Sequence, residues 1–458
     1  MIDADLTWSG HQIYDSSSID DLISQCDTLN SSDGDHDKSA GPFTVFSSTV
    51  NMVSPPRGPP SEMGQILDDL QDDHLRDSAA FLFHHYTSFI ALNMMPFKDR
   101  RNPWQSFYPL MARCGSSRGH KSLLHAMLAQ AAGNLAHLGC KKEYMSTLTV
   151  KYYALAIENL RKGLEDQQED FSVVLASVLT LIMIYNGKSN SWRLHLNGGW
   201  DFICSQQANT PWHSSEAAWL TSQSLCLLKI RCDTMQTHIN HPADSTIPAL
   251  DPTHHLISSV ASRADFGFTA GASPALMSCI IETTQLSSLI SQRGGLSTHQ
   301  TAISQLYQRL QACSYPKDSP GQYLVRLHHR IFQLGAIVYF HRSIWDSRPN
   351  ALIPYIEELL QAVKEYQQLG GGYVTLWPVF ITAVEVYLPQ HKLLVREWLN
   401  ECETMGAASR KDIRELIEAV WRKRLEIRQH MGGEMEQGEI VVEWRGVMWE
   451  KQLDILLV

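Results

Sequence analysis

The sequence predicts an all-α fold, a large irregular helical array. Apolar residues recur at three- and four-residue spacing through most of the chain beyond about residue 75. No alternation of strand-like and helix-like segments appears, so a parallel sheet is excluded. The longest apolar run, Phe171 to Tyr185, carries Ser172, Ser177 and Thr180 and is too short for a bilayer, which makes it a buried helix. No self-similar repeat at tetratricopeptide or ankyrin spacing is evident.

The 458 residues are 44% hydrophobic and 19% charged, which is globular composition with ample length for a core. A net charge of -10 argues against a phosphate-binding surface spread over the chain, so direct nucleic-acid binding is not expected. Nine cysteines lie far apart and most fall in apolar stretches, as core thiols in a reducing compartment do. The tightest pair, Cys226 and Cys232, has no second pair near it, so no zinc site is expected. No apolar stretch behind the first methionine resembles a secretory signal, and no membrane association is expected.

Residues 1–70 are rich in Ser, Asp, Gly and Pro and read as a disordered acidic tail, because such a segment cannot bury enough surface to offset its ordering entropy. Within it, Ile19 to Leu29 interleaves acidic and apolar residues. It reads as a solvated tail or as a short motif that folds on a partner. Residues 71–458 form the second unit, a helical domain.

Helices are expected to start near Met63 or Leu75, with residues 75–86 at helical spacing. Asn102-Pro103-Trp104 breaks the pattern with an aromatic that can plug a groove between helices, and Pro109 starts or interrupts the next turn. Leu123, Leu124, Met127, Leu128, Ala131, Leu135 and Leu138 form the strongest stripe, with small residues between them that admit a close neighbour and Gly139 as a stop. A second helix runs from about Tyr144 to Leu164, and a third from the cap Asp170 to Tyr185. Short links make these three an antiparallel set.

Residues 205–215 and 233–272 are looser, the latter a surface excursion or a run of short helices. Helical pattern resumes over 273–292, 300–312, 323–345 and 354–369, with Pro274 and Pro354 where a first turn tolerates them. After Gly370-Gly371-Gly372 come a helix with Trp377, then 388–399 and 411–429. The tail from Glu439 holds Trp444, Met448 and Trp449 and is helical or extended.

From about residue 75 onward, the succession of these motifs resembles the fungal-specific transcription factor domain, the helical regulatory region of binuclear zinc cluster activators. Asn102-Pro103-Trp104 comes first, and Leu123 to Ala129 resembles the family's alanine-rich helix. Tyr152 to Ile157 with Leu160, Arg161 and Leu164 resembles its second. Trp192-Arg193-Leu194-His195-Leu196-Asn197-Gly198 stands where the family has a Trp-Arg-x-His-Leu-x-Gly stretch. Trp377-Pro378-Val379-Phe380, Val420-Trp421 and Glu443-Trp444-Arg445 resemble the late motifs. Members of this family usually begin with clustered cysteines in a basic block. Residues 1–70 hold only Cys26, and one thiolate cannot hold two zinc ions.

The resemblance implies a transcriptional regulator or co-regulator of a fungal metabolic or secondary-metabolite gene set. It would be nuclear and act without its own zinc-cluster module. The partners implied are another transcription factor or co-activator, a second copy of the chain, and a small-molecule effector. The alternative is a cytoplasmic small-molecule-binding protein or biosynthetic enzyme that reuses the helical fold, with Trp192, His195, Tyr339 and Trp377 as its pocket.

Residue by residue, the anchors are Asn102, Pro103, Trp104, Trp192, Arg193, His195, Trp377, Pro378, Trp421 and Trp444. His195 has no nucleophile or carboxylate beside it in sequence and reads as a hydrogen-bonded structural residue. His84-His85, His328-His329 and His341 show no chelating spacing, since neighbouring helical residues point about 100° apart. Arg410 to Arg428 alternates in sign and reads as a solvated, salt-bridged helix face, with Glu418 four residues before Arg422. No phosphate loop, nucleophile elbow or paired-carboxylate site is present, so no catalytic residue, metal or cofactor is expected. Trp444, Val447, Met448 and Trp449 close an intramolecular groove or form an interface.

Overall fold

In a computed structural model, the described residues are 6–8, 12–14, 78–165, 169–184, 191–235, 252–293, 295–315, 323–407 and 409–457. The Ile19–Leu29 segment lies outside them. Near the start, strands β1 (Leu6–Trp8) and β2 (Gln12–Tyr14) pair antiparallel, with Thr7 opposite Ile13. The sequence reading assigned no element there. Among the described residues, all other regular structure is helical.

A first layer forms around one alanine-rich helix. Helix α1 (Ser78–His85) passes through a π turn (Tyr86–Ile90) into α2 (Ala91–Asn93), and α3 (Phe107–Cys114) holds Pro109 in its first turn. Helix α4 (Arg118–His137) is capped by Ser117, whose hydroxyl accepts from the His120 amide, and Gly139 closes the exit at φ +84°. Helix α5 (Lys142–Leu164) packs along it. Ala126, Ala129, Ala131 and Ala132 are fully buried, so the two backbones approach closely. Ser122 donates to the Ala156 carbonyl at 2.8 Å, while Gly133 faces Thr149, so the pair runs antiparallel.

Helix α6 (Phe171–Met183) is buried along nearly its whole length. Asp170 caps it by accepting from the Ser172 and Val173 amides at 2.7 and 3.2 Å. Helix α7 (Ser191–Ser205) crosses it at Gly199, where a Cβ would stand 2.8 Å from Val178 Cγ1. Only glycine fits that crossing.

Helix α8 (Glu216–Asp233) joins the two halves of the molecule, touching α6 and α7 on one side. It escaped the sequence reading for a physical reason. Thr221, Ser222, Gln223 and Ser224 are buried along with the apolar residues, so no stripe separates a wet face from a dry one. The stretch 233–272 holds α9 (Pro252–Val260) and a 3-10 turn, Phe268–Ala270.

The second half is built on α12 (Tyr323–Ile344). Around it lie α10 (Pro274–Arg293), α11 (Gln300–Ala312), α13 (Ile353–Gln368) and α14 (Leu376–Ala383). Arg330 pairs with Glu358 and Tyr323 with Glu365, which makes α12 and α13 antiparallel. At Gly335 a Cβ would fall 2.5 Å from Pro378 Cβ, so α14 rests directly on the α12 backbone. Helices α15 (Pro389–Glu403), α16 (Ser409–His430) and α17 (Trp444–Glu450) close the array. No helix among the described residues is long and apolar enough to cross a membrane.

The basic segment on α16 corrects the sequence reading at two arginines, while Lys411, Glu415, Arg422 and Glu426 lie exposed as expected. Arg424 is 0% exposed and Arg410 7%, so neither lies on a solvated face. Glu418 pairs with Arg396 and Lys423 with Glu450, in place of the expected pair within the helix. Alternating charge reports local spacing only, and packing by α14 and the C-terminal segment desolvated one side.

Candidate functional site

Most of the tryptophans singled out by the sequence sit inside the array, and the indoles of Trp377 and Trp421 donate hydrogen bonds there. Asn102 is buried. Its side-chain amide donates to the Ala91 carbonyl at 2.9 Å, and its Oδ1 accepts from the Trp104 and Gln105 amides at 3.0 and 3.2 Å. That closed turn fixes Pro103, which is buried, and sets Trp104 half-buried beside Tyr108.

On α7, Trp192 is 1% exposed, and the Arg193 guanidinium lies 4.2 Å from its ring centroid. Arg193 Nε donates to Asp454 at 2.8 Å, which ties the C-terminal segment back onto α7. Burial raises the Asp454 carboxyl, and Arg193 works against that rise. His195 Nε2 meets the Tyr153 hydroxyl at 2.7 Å, and burial pushes the imidazole down to about 4, so it is neutral at pH 7.

Trp377, wholly buried, donates from Nε1 to Thr234 Oγ1 at 2.7 Å, stacks on Phe332 and meets Tyr339 edge-on at 5.7 Å. Trp421 donates to the Ala383 carbonyl at 2.9 Å. Trp444 stands edge-on to Phe380 at 5.0 Å, and Arg445 beside it donates to the Thr234 carbonyl at 2.7 Å. Thr234, at the end of α8, therefore receives both α14 and α17. Val447 is buried in the same closure, whereas Trp449 is 78% exposed.

The four residues named as a pocket are not gathered into one. Tyr339 and Trp377 touch; Trp192 and His195 contact Asp454 and Tyr153 instead. None of the four lines either of two neighbouring clefts. The larger, about 270 Å³, lies between α4, α5 and the entry to α16. The smaller, about 110 Å³, lies between α6, α8 and the Met94–Trp104 segment. They share Asn93, Met94, Met183, Tyr373 and Arg410. Of the motif anchors, only Trp104 lines a wall.

Arg410 and Tyr373 are the residues sequence reasoning missed here. Tyr373 was passed over after the glycine triplet, and Arg410 was grouped with a solvated face. A partial signal existed: a cation in the first turn of a helix opposes the helix dipole.

Among the described residues, no group of three or more His, Cys, Asp or Glu could hold a metal. His328 is buried at 3.4 Å from the Gly271 carbonyl and His329 meets Ser273 Oγ at 3.0 Å, and burial lowers both to about 4. The described cysteines are free thiols. The neighbouring Cys279 draws the Cys313 thiol down.

No curated protein and no solved structure matches the chain. The fungal specific transcription factor domain matches residues 81–458, which takes in every described helix except the first residues of α1. The chain belongs to the fungal-specific transcription factor domain family, and its role is transcription-related.

Proposed function

We propose that this protein is a nuclear transcriptional regulator or co-regulator of a fungal metabolic or secondary-metabolite gene set, and that it reaches DNA through a partner protein. The observation that carries this reading is the family match over residues 81–458. Two sequence facts support the indirect route: the net charge is -10, and residues 1–70 contain a single cysteine. The partner is a DNA-bound factor or co-activator, with a second copy of the chain as a further associate.

Transcript profiling of a deletion strain, with chromatin immunoprecipitation of the tagged full chain, tests the proposal. Coordinated loss or gain of a gene set, with the tagged protein enriched at its promoters, is the expected result. Unchanged transcripts and absence from the nucleus would remove it.

A further inference from the structure

The Arg410 side chain is buried without a counter-charge. It is 7% exposed, and its Nε has no hydrogen-bond partner. No carboxylate pairs with it among the described residues. Its contacts are the Tyr373 ring, 5.4 Å from the guanidinium to the centroid, and a long 3.4 Å bond to Ser409 Oγ. A buried cation without a counter-charge is expensive, and the cost is repaid only by an anion or by several hydrogen bonds.

The surroundings make that cost larger. Arg410 sits in the first turn of α16, where the helix dipole is positive. Arg231 lines the smaller cleft with it. The described bond of Arg231 goes from Nε to the Leu227 carbonyl at 3.1 Å, and burial, with no carboxylate to offset it, lowers the guanidinium to about 10. No Asp or Glu lines either cleft, so two guanidinium groups and one helix N-terminus concentrate positive potential in a site of low polarity.

We propose that the joined clefts bind a small organic carboxylate with an apolar body, its carboxylate held by the Arg410 fork and its body laid between α6 and α8. A guanidinium fork holds a carboxylate or a phosphate in a bidentate pair. The apolar part of the lining favours the carboxylate, because a monoanion costs less to take out of water than a phosphate dianion. The walls of the smaller cleft are largely thioether and aliphatic, with Met94, Met95, Met183, Leu179, Leu227 and Leu228, while the larger adds the polar Gln130, Asn134, His137, Ser146 and Thr149. Unbranched methionines adapt to the shape of an apolar guest. Neither cleft alone, at about 270 and about 110 Å³, reaches the common ligand range of about 300–1,000 Å³, but joined they come to its lower end, which suits one molecule spanning both. The carboxylate binds where α4, α5, α6, α8 and α16 converge, and it ties the first layer of the array to the segment that leads into α16.

This deepens the regulatory role proposed above and rests on it only for the consequence of binding. The test uses the full chain, with octanoate, decanoate and benzoate as acid probes, octanol, decanol and benzyl alcohol as neutral matches, and inorganic phosphate as the competing anion. Melting temperature and tryptophan fluorescence are followed, with W104F to place the fluorescence response in the cleft. At least one acid is expected to bind about tenfold or more tightly than its alcohol. R410M is expected to erase that difference and, without ligand, to melt no lower than the parent, because it removes an uncompensated charge.

R231M repeats the comparison from the opposite wall, so the result does not hang on one variant folding. Absence of binding by every acid, acids and alcohols binding alike, acid preference surviving in R410M and R231M, or a cooperative loss of stability in R410M would each overturn the proposal. Phosphate binding as tightly as the best acid would overturn the carboxylate assignment. Failure of all acids to bind, with transcripts still altered by deletion, sinks this inference alone. Acid binding without any transcript change sinks the regulatory reading and leaves the site.

Discussion

The two ends of helix α16 carry the same kind of residue in opposite circumstances. At its C-terminal half, Arg424 is 0% exposed and fully engaged. It donates to the carbonyls of Ile440 at 3.0 Å, Val386 at 3.0 Å and Val384 at 3.2 Å, and faces Glu385, which Arg342 also meets at 2.8 Å. Burial lowers the Arg424 guanidinium, and Glu385 opposes that. At the N-terminal end, Arg410 is nearly as buried and has neither carbonyl nor carboxylate of this kind. Burial alone therefore does not tell what an arginine is for. One is a staple that the chain itself completes; the other is a receptor that the chain leaves incomplete.

The largest effect in this comparison belongs to the staple. Arg424→Ala would strand three carbonyls away from water and leave Glu385 to Arg342 alone. Chemical denaturation should show a loss of about 3–5 kcal/mol, the usual cost of breaking a buried pair. A loss under about 1 kcal/mol would show that solvent reaches the site and would erase the distinction from Arg410.

One turn earlier, Trp421→Phe sharpens the same contrast with a neutral group. It removes the donor to the Ala383 carbonyl and leaves that carbonyl buried. The Val386 amide still donates to that carbonyl at 3.2 Å, so the expected cost is about 0.5–1.5 kcal/mol by the same measurement. Combined with Arg424→Ala, the two changes should fall short of additive, because both act on the α14 exit, where Ala383 and Val384 are neighbours. Strict additivity would mean that the two contacts are independent staples.

The smallest effect concerns a partnered group that stays neutral. The folded pKa of His195 lies at about 4, below its ordinary 6.5. On acidification the unfolded chain binds this proton first, so the stability contribution is complete above pH 6.5 and is lost as pH falls toward 4. His195→Gln keeps a polar partner for Tyr153 and cannot titrate. Its stability should decline less steeply between those two pH values than that of the parent. Identical slopes would show that His195 is solvated in the folded state.

Much of the first layer was legible in the sequence because its signals are local. The stripe from Leu123 to Leu138, the Asp170 cap and the Gly139 stop each act within a few residues, and α4, α5 and α6 fall close to where those signals place them. Helix α8 was not legible, since a helix buried on all sides shows no period. The ordered succession of tryptophan motifs was enough to point to the family, because family likeness is itself a property of sequence.

The sequence by itself determined that this chain is helical, where most helices run, and which family it belongs to. Only the tertiary structure decided what the polar residues do. Arg410 and Arg424 stand on one helix in one alternating charge pattern, and spacing cannot separate them. Their difference is set by residues distant in sequence: Val384 and Val386 supply carbonyls to one, while no Asp or Glu lines the clefts that hold the other. Periodicity encodes which face is buried. Whether a buried charge finds a partner depends on which far segments fold against it.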